Sequence, residues 1–159
     1  VQDNSAFSEP FSVTNGVKQG CVLAPTLFTL MFSAMLTDAF REGDVGLDIR
    51  YRSDGKVFNL RRLQAKTKVK SVTIRDFLFA DDCALNAGTE ADMQKSVDKF
   101  SAACSNFGLT ISTKKTEVLH QPAPGSQYEA PNITVYGQPL ANVNKFVYLG
   151  STLAQNATI

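Results

Sequence analysis

FLFADDCAL, residues 77–85, sets two adjacent carboxylates, Asp81 and Asp82, in an otherwise apolar run whose composition suits a protein interior. An unpaired ionised carboxylate is costly to bury. The flanking RDFLFA and CALNA both read as strands, so the plainer reading is a two-residue hairpin turn carried by residues that tolerate turn geometry. The functional reading is a metal site at the tip of a buried hairpin, where a hard divalent cation neutralises the pair and takes oxygen ligands from it. An Asp-Asp pair arises by chance roughly once in a few hundred residues. Both readings predict the same backbone, and the rest of the chain has to decide between them.

The chain has 159 residues, 43% hydrophobic and 19% charged, which suits one ordinary globular domain. No apolar window approaches the length of a membrane span, and VQDNSAFSEP at the start has neither a basic head nor an apolar signal core. The expectation is an intracellular protein, cytoplasmic or nuclear, with no membrane partner. Cys21, Cys83 and Cys104 are far apart and fit no metal-ligand spacing, which predicts reduced core residues. A net charge of +1 conceals a local asymmetry: Lys56, Arg61, Arg62, Lys66, Lys68, Lys70 and Arg75 follow one another with no acid between them. Such a stretch attracts a phosphate backbone, and it equally describes a solvated basic loop or a localisation signal.

Phe11 to Thr14 alternate like a short strand before the glycine-containing turn NGVKQG. A helix follows, with Pro25 in its first turn. Leu27, Leu30, Met31, Ala34, Met35 and Phe40 line one face, and Phe28 and Phe32 widen it so far that deep burial is expected, with Gly43 as cap. Residues 44–72 read as a long exposed connection with a turn at 53–55. After the acidic hairpin, Thr89 to Asp92 fits a capping box, with Asp92 reaching back to the Thr89 amide. The helix it starts carries Met93, Val97, Phe100, Cys104 and Phe107 on one stripe and ends at Gly108. Short strands are expected at LTIS (109), EVLH (117), NITVY (132) and KFVYLG (145). Strand runs mixed with two helices make the fold class α+β.

Phosphate-loop, dinucleotide-binding and esterase motifs are absent from the sequence. His120, the sole histidine, reads as an exposed or hydrogen-bonded residue rather than a base. What remains is the acidic hairpin, the glycine turn before a helix and the basic stretch, a set suited to nucleotidyl transfer, where positioning and metal electrostatics dominate.

Four stretches then stand in order: GVKQGCVLAPTLF (16–28), FLFADDCAL (77–85), FGLTISTKKTEVL (107–119) and FVYLGS (146–151). Together they resemble successive palm motifs of a reverse transcriptase, and the FADD form with GVKQGC and YLGS resembles the non-LTR (LINE-type) retrotransposon enzymes. The resemblance implies a palm-type antiparallel sheet packed on two main helices and an RNA-directed DNA polymerase. RNA template, DNA primer, deoxynucleotide triphosphates and the rest of the retroelement polyprotein would be its partners. It implies magnesium, with manganese as the substitute, held by Asp81 and Asp82 in a two-metal mechanism. Gln19, Gly20, Pro25 and Phe79 would line the nucleotide and template pocket. Phe146, Tyr148, Leu149 and Gly150 would form the primer grip. Lys115 would approach the leaving pyrophosphate, with Lys114 as a rival and an ordinary surface lysine as the plainer reading.

The sequence departs from the family pattern at Ala24, where Ser is expected, at Phe79 for Tyr and at Ser112 for Asn. The family's third carboxylate lies on a strand upstream of GVKQG, and Asp3 lacks its context. The expectation is therefore a partial domain over 1–159, incomplete at both ends, without the thumb and most of the fingers, and inactive in isolation. A non-catalytic nucleic-acid-binding remnant of a retroelement is the alternative.

Overall fold

Thr89 ends an extended segment and starts a helix. Its hydroxyl oxygen accepts from the Asp92 amide at 3.1 Å and donates to the Asp92 carboxylate at 2.8 Å. The capping box thus forms with one change: Asp92 accepts from the Thr89 hydroxyl, where the sequence reading had it accept from the Thr89 amide. The helix it caps organises the computed structural model, which describes residues 2–3, 6–7, 9–10, 12, 20–41, 46–52, 69–123 and 125–156. The chain divides into two compact units, Val1–Ala34 and Met35–Ile159.

In the first unit, β1 (Gln2–Asp3) and β2 (Ala6–Phe7) pair antiparallel. The helix α1 (Ala24–Ala39) begins there, with Pro25 in the first turn, where its missing amide leaves no bond unmade. Phe28 and Phe32, one turn apart, stack at 5.3 Å. The expected deep burial does not hold for this unit: Leu27 and Leu30 are exposed, Leu30 at 64%. A helix apolar on every side is covered only where another element reaches it, and cover is found at its other end. Gly43 and the strand expected at 11–14, Ser12 apart, lie outside the described residues.

In the second unit, Met35 and Ala39 are buried, Phe40 lies 6.5 Å from Phe100, and Met35 Sδ lies 3.7 Å from Cys104 Sγ. These partners belong to α2 (Glu90–Asn106). The expected apolar stripe is realised in burial of Val97, Phe100 and Cys104, joined by Ser96 and Ala103. At its end Gly108 has φ +70, its amide bonds to Ser105 O, and Leu109 N bonds to Cys104 O at 2.7 Å. That pair of bonds is the Schellman closure, which requires a left-handed residue and explains the glycine.

The strands among the described residues pair into six two-stranded sheets. β3 (Leu47–Arg52) and β4 (Val69–Ile74) form a six-rung antiparallel ladder. Residues 44–72 are therefore not the simple connection expected, because Leu47 and Ile49 pair with the β-branched Ile74 and Val72. Gly46 enters this ladder so closely that a Cβ would lie 2.6 Å from Thr73 Cγ2. The turn expected at 53–55, and the basic residues from Lys56 to Lys68, lie outside the described residues. β5 (Asp76–Phe79) pairs with β6 (Asp82–Leu85). β7 (Glu117–Val118) pairs parallel with β10 (Ala141–Asn142). β8 (Thr134–Val135) pairs with β9 (Gln138–Pro139), and β11 (Lys145–Tyr148) with β12 (Ser151–Ala154).

LTIS at 109 is not a strand. The Ser112 carbonyl accepts from the Lys115 and Thr116 amides at 3.0 Å each, which curls the chain into a turn. Ile111 still packs on the core. KFVYLG forms the expected strand over Lys145–Tyr148, and residues 149–150 reverse the chain into β12.

The core lies where α2 meets the β8–β9 hairpin: Val97, Ile133, Val135 and Leu140 are buried together, with Leu85, Met93, Ile111 and Val118 packed around them. The polar flank of α2 secures this contact. Gln94 Nε2 donates to Thr134 O at 3.0 Å, and its Oε1 accepts from Thr134 N at 2.8 Å, so a side-chain amide occupies the place of a neighbouring strand. Glu90 accepts from Asn132 N at 2.9 Å. Among the described residues no helix is long and apolar enough to cross a membrane.

With Ile133 1% exposed, Ile133→Ala should lower unfolding free energy by about 2–5 kcal/mol in urea denaturation. Leu153→Ala, at an exposed strand position, should change it by about 0.5 kcal/mol or less. The opposite order would move the core elsewhere.

Candidate active site

The register of β5 and β6 pairs Phe79 with Asp82, which leaves Ala80 and Asp81 as the turn, one residue earlier than the Asp81–Asp82 turn expected between RDFLFA and CALNA. The carboxylates are therefore not equivalent: Asp81 sits in the loop, and Asp82 is the first residue of the returning strand. Ala80 takes φ +53 while Asp81 stays at negative φ, the sign pattern of a type II′ turn, which normally calls for glycine first. Alanine in that conformation costs about 1–2 kcal/mol. At the open end, Asn86 N donates to Arg75 O at 2.6 Å and closes the hairpin.

The hairpin is not the buried one expected. Phe77, Leu78 and Phe79 are exposed, Phe79 at 60%, while Cys83, Ala84 and Leu85 are half-buried. The asymmetry follows from packing, since Leu85 of β6 joins the α2 core and β5 has no partner on its outer edge among the described residues. Asp81 and Asp82 are both exposed. Neither carboxylate takes an ion pair or a side-chain hydrogen bond among the described residues.

Cys83 lies beneath the tip, its thiol 3.8 Å from Asp81 O. Burial pushes this thiol up to about 11, and Cys104, Asp76, Asp82 and Asp81 reinforce the shift. Burial also raises Cys104. Cys21, by contrast, is exposed, so the expectation of three core cysteines holds in full only for Cys104.

A second hairpin tip meets the first. Leu149 and Gly150 have φ +49 and +80, the two left-handed residues of a type I′ turn between β11 and β12. Phe146 and Tyr148 share a strand face, their rings stacked 6.4 Å apart. The Tyr148 hydroxyl donates to Asp82 O at 3.5 Å. Desolvation, then Cys83 and Asp82, hold the phenol above its ordinary value and keep it a donor.

These are the second and fourth stretches singled out in the sequence, joined at their tips. The sequence model of the family described as "Reverse transcriptase (RNA-dependent DNA polymerase)" matches residues 2–153. The chain belongs to the reverse transcriptase family. No match is found among curated proteins.

In this reverse transcriptase chain, the contact shown between the two hairpins is the Tyr148 bond to the Asp82 carbonyl; Phe79 and Asp81 stand in the first hairpin, and Phe146, Leu149 and Gly150 in the second. Lys115 and Lys114 stand exposed on the turn before β7, and no hydrogen bond or ion pair among the described residues ties them to the aspartates. Gly20, with φ +82, and Pro25 belong to the first unit, and Gln19 lies outside the described residues. His120 Nδ1 donates to Glu129 O at 2.9 Å, and the ring lies against Tyr128, in keeping with a hydrogen-bonded rather than basic role. Sequence reasoning missed the Tyr148 bond to the Asp82 carbonyl. The only available signal was Gly150 after an alternating apolar run, and Leu149 is a poor turn former.

As donors, Asp81 and Asp82 are hard oxygen ligands of the kind magnesium selects. They fit such an ion in chemistry but not in number, for no group of three His, Cys, Asp or Glu side chains suited to a metal occurs among the described residues.

At pH 8, alkylation followed by peptide mass mapping should label Cys21 first. Labelling of Cys83 should rise only as the pH approaches about 11. The sign for stability follows: from 9.0 to about 11 the folded state holds the Cys83 proton that the unfolded state has lost, so stability falls as pH rises through that window. Early labelling of Cys83 would contradict the burial of this thiol.

Proposed function

We propose that the chain is a palm segment of a non-LTR (LINE-type) reverse transcriptase, a partial domain over residues 1–159 that serves RNA-directed DNA synthesis. The observation that carries this reading is the Tyr148–Asp82 contact, through which the carboxylate hairpin and the primer-grip hairpin stand tip to tip. The four motifs in family order support the LINE assignment, and the β5–β6 hairpin, packed through Leu85 on the α2 core and bonded to Tyr148 of β11, supports a palm-type arrangement.

In this reading Asp81 and Asp82 hold magnesium, or manganese in its place. The ions supply charge neutralisation at the nucleotide phosphates and activation of the primer hydroxyl. Asp81, which stands in the turn itself, is the principal ligand, and Asp82 follows it at the head of β6. Phe146, Tyr148, Leu149 and Gly150 support the primer end. Gln19, Gly20, Pro25 and Phe79 line the nucleotide and template pocket, where a glycine lets backbone approach closely. Lys115 offers charge or a proton to the departing pyrophosphate. Template RNA, DNA primer and deoxynucleotide triphosphates are the ligands, the remaining retroelement polyprotein the partner, and the cell interior the place of action.

Two adjacent carboxylates repel by roughly 1–4 kcal/mol at 4 Å and effective dielectrics of 80 to 20. A cation between them relieves that repulsion, but two carboxylates are few ligands to hold one firmly; no group of three suited side chains occurs among the described residues, and in this reading the segment is inert until the rest of the polyprotein provides a further ligand. That same shortage favours one second reading, a non-catalytic nucleic-acid binder.

Primer extension on an RNA template with Mg2+ separates these readings. The segment alone should give no incorporation, and the complete polyprotein should give incorporation that Asp81→Asn lowers by about 10³-fold. Incorporation by the segment alone would overturn its inertness. Salt-sensitive binding indifferent to Mg2+ and to Asp81→Asn, without incorporation by the polyprotein, would establish the binder. In the complete polyprotein Tyr148→Phe should lower kcat by about 2- to 10-fold, the loss of one hydrogen bond, with KM for nucleotide little changed. An unchanged kcat would detach the two tips functionally.

A further inference from the structure

The most firmly anchored hairpin of the second unit ends in a residue poorly suited to folding. β8 and β9 are joined by Tyr136 and Gly137, with φ +52 and +73. Glycine and asparagine tolerate that conformation, whereas a bulky aromatic residue there is strained. Tyr136 is also 51% exposed, so its ring gains little from burial. Everything beneath it is fixed: Val135, Ile133 and Leu140 are buried, and Gln94 clamps Thr134 from both sides. Strain held on a rigid base is characteristic of positions kept for a contact with something else.

The surroundings indicate what that contact is. Thr113 Oγ1 donates to Gln138 Oε1 at 3.1 Å, which fastens the turn carrying Lys114 and Lys115 beside the strand that leaves Tyr136. Both lysines are exposed. An exposed aromatic ring on a hairpin to which a basic turn is fastened suits single strands, with a base on the ring and phosphate at the Lys114 amine. We propose that the Tyr136–Gly137 tip and Lys114 form a docking point for single-stranded nucleic acid, separate from the Asp81 hairpin. The inference deepens the polymerase reading, as it gives that protein a second hold on its template or primer strand.

The test is fluorescence anisotropy of labelled U20 and dT20 with the 159-residue chain, without Mg2+ or nucleotides and repeated on the Asp81→Asn background. Tyr136→Asn is the decisive variant, because asparagine accommodates the left-handed conformation and should leave the unfolding midpoint unchanged or raised. It should weaken both probes by about 5- to 100-fold, while Tyr136→Phe retains binding. Lys114→Gln should reduce the salt slope by about 0.7. A preference for U20 would make the strand the RNA template, and a preference for dT20 the DNA primer. Binding by Tyr136→Asn equal to that of the unaltered chain, or no affinity of the unaltered chain for either probe, would overturn the inference. Either result would leave the Asp81 primer-extension test standing.

Discussion

The contact of α2 with the β8–β9 hairpin is the constraint on which the second unit rests. Val97 meets Ile133, Val135 and Leu140 in a buried cluster, and the Gln94 amide completes the hydrogen bonds of Thr134. Leu85 attaches the acidic hairpin to this cluster, Val118 attaches β7, and Phe100 with Cys104 attaches the end of α1. Removing α2 would leave a set of two-stranded ribbons, each too small to be stable alone.

Three hairpins of this unit reverse through a non-glycine residue in the left-handed region: Ala80, Tyr136 and Leu149. All three are exposed. Ala80 and Leu149 sit at the tips that Tyr148 joins, so local strain and the family's chemical motifs coincide. A tip held by a strained turn is defined in direction, which suits carboxylates that must face a ligand without a protein partner of their own.

What was legible in the sequence was local. The cap at Thr89, the stripe through Val97, Phe100 and Cys104, and the left-handed Gly108 follow from short-range rules that nothing in the tertiary structure opposes. The Asp81–Asp82 hairpin and the motif order were legible for the same reason. Burial was not: α1 and the Phe77–Phe79 run are apolar enough for an interior, yet composition does not say whether a partner arrives to cover them. The LTIS run failed as a strand because the Ser112 carbonyl captured two amides in a turn. The β3–β4 ladder was hidden because its strands lie far apart in sequence around a basic stretch. The Tyr148 bond to Asp82 spans 66 positions, beyond the reach of any periodicity.

The proposal on which the account turns is that the Ala80–Cys83 tip is part of a metal site beside the β11–β12 hairpin. Paramagnetic broadening by Mn2+ of backbone amide signals in the 15N-labelled chain tests it most directly. Signal loss should centre on Ala80–Cys83, extend to Tyr148–Ser151 and disappear in Asp81→Asn. Broadening centred instead on Glu90, Asp92 and Asp98, or unchanged by Asp81→Asn, would contradict the account.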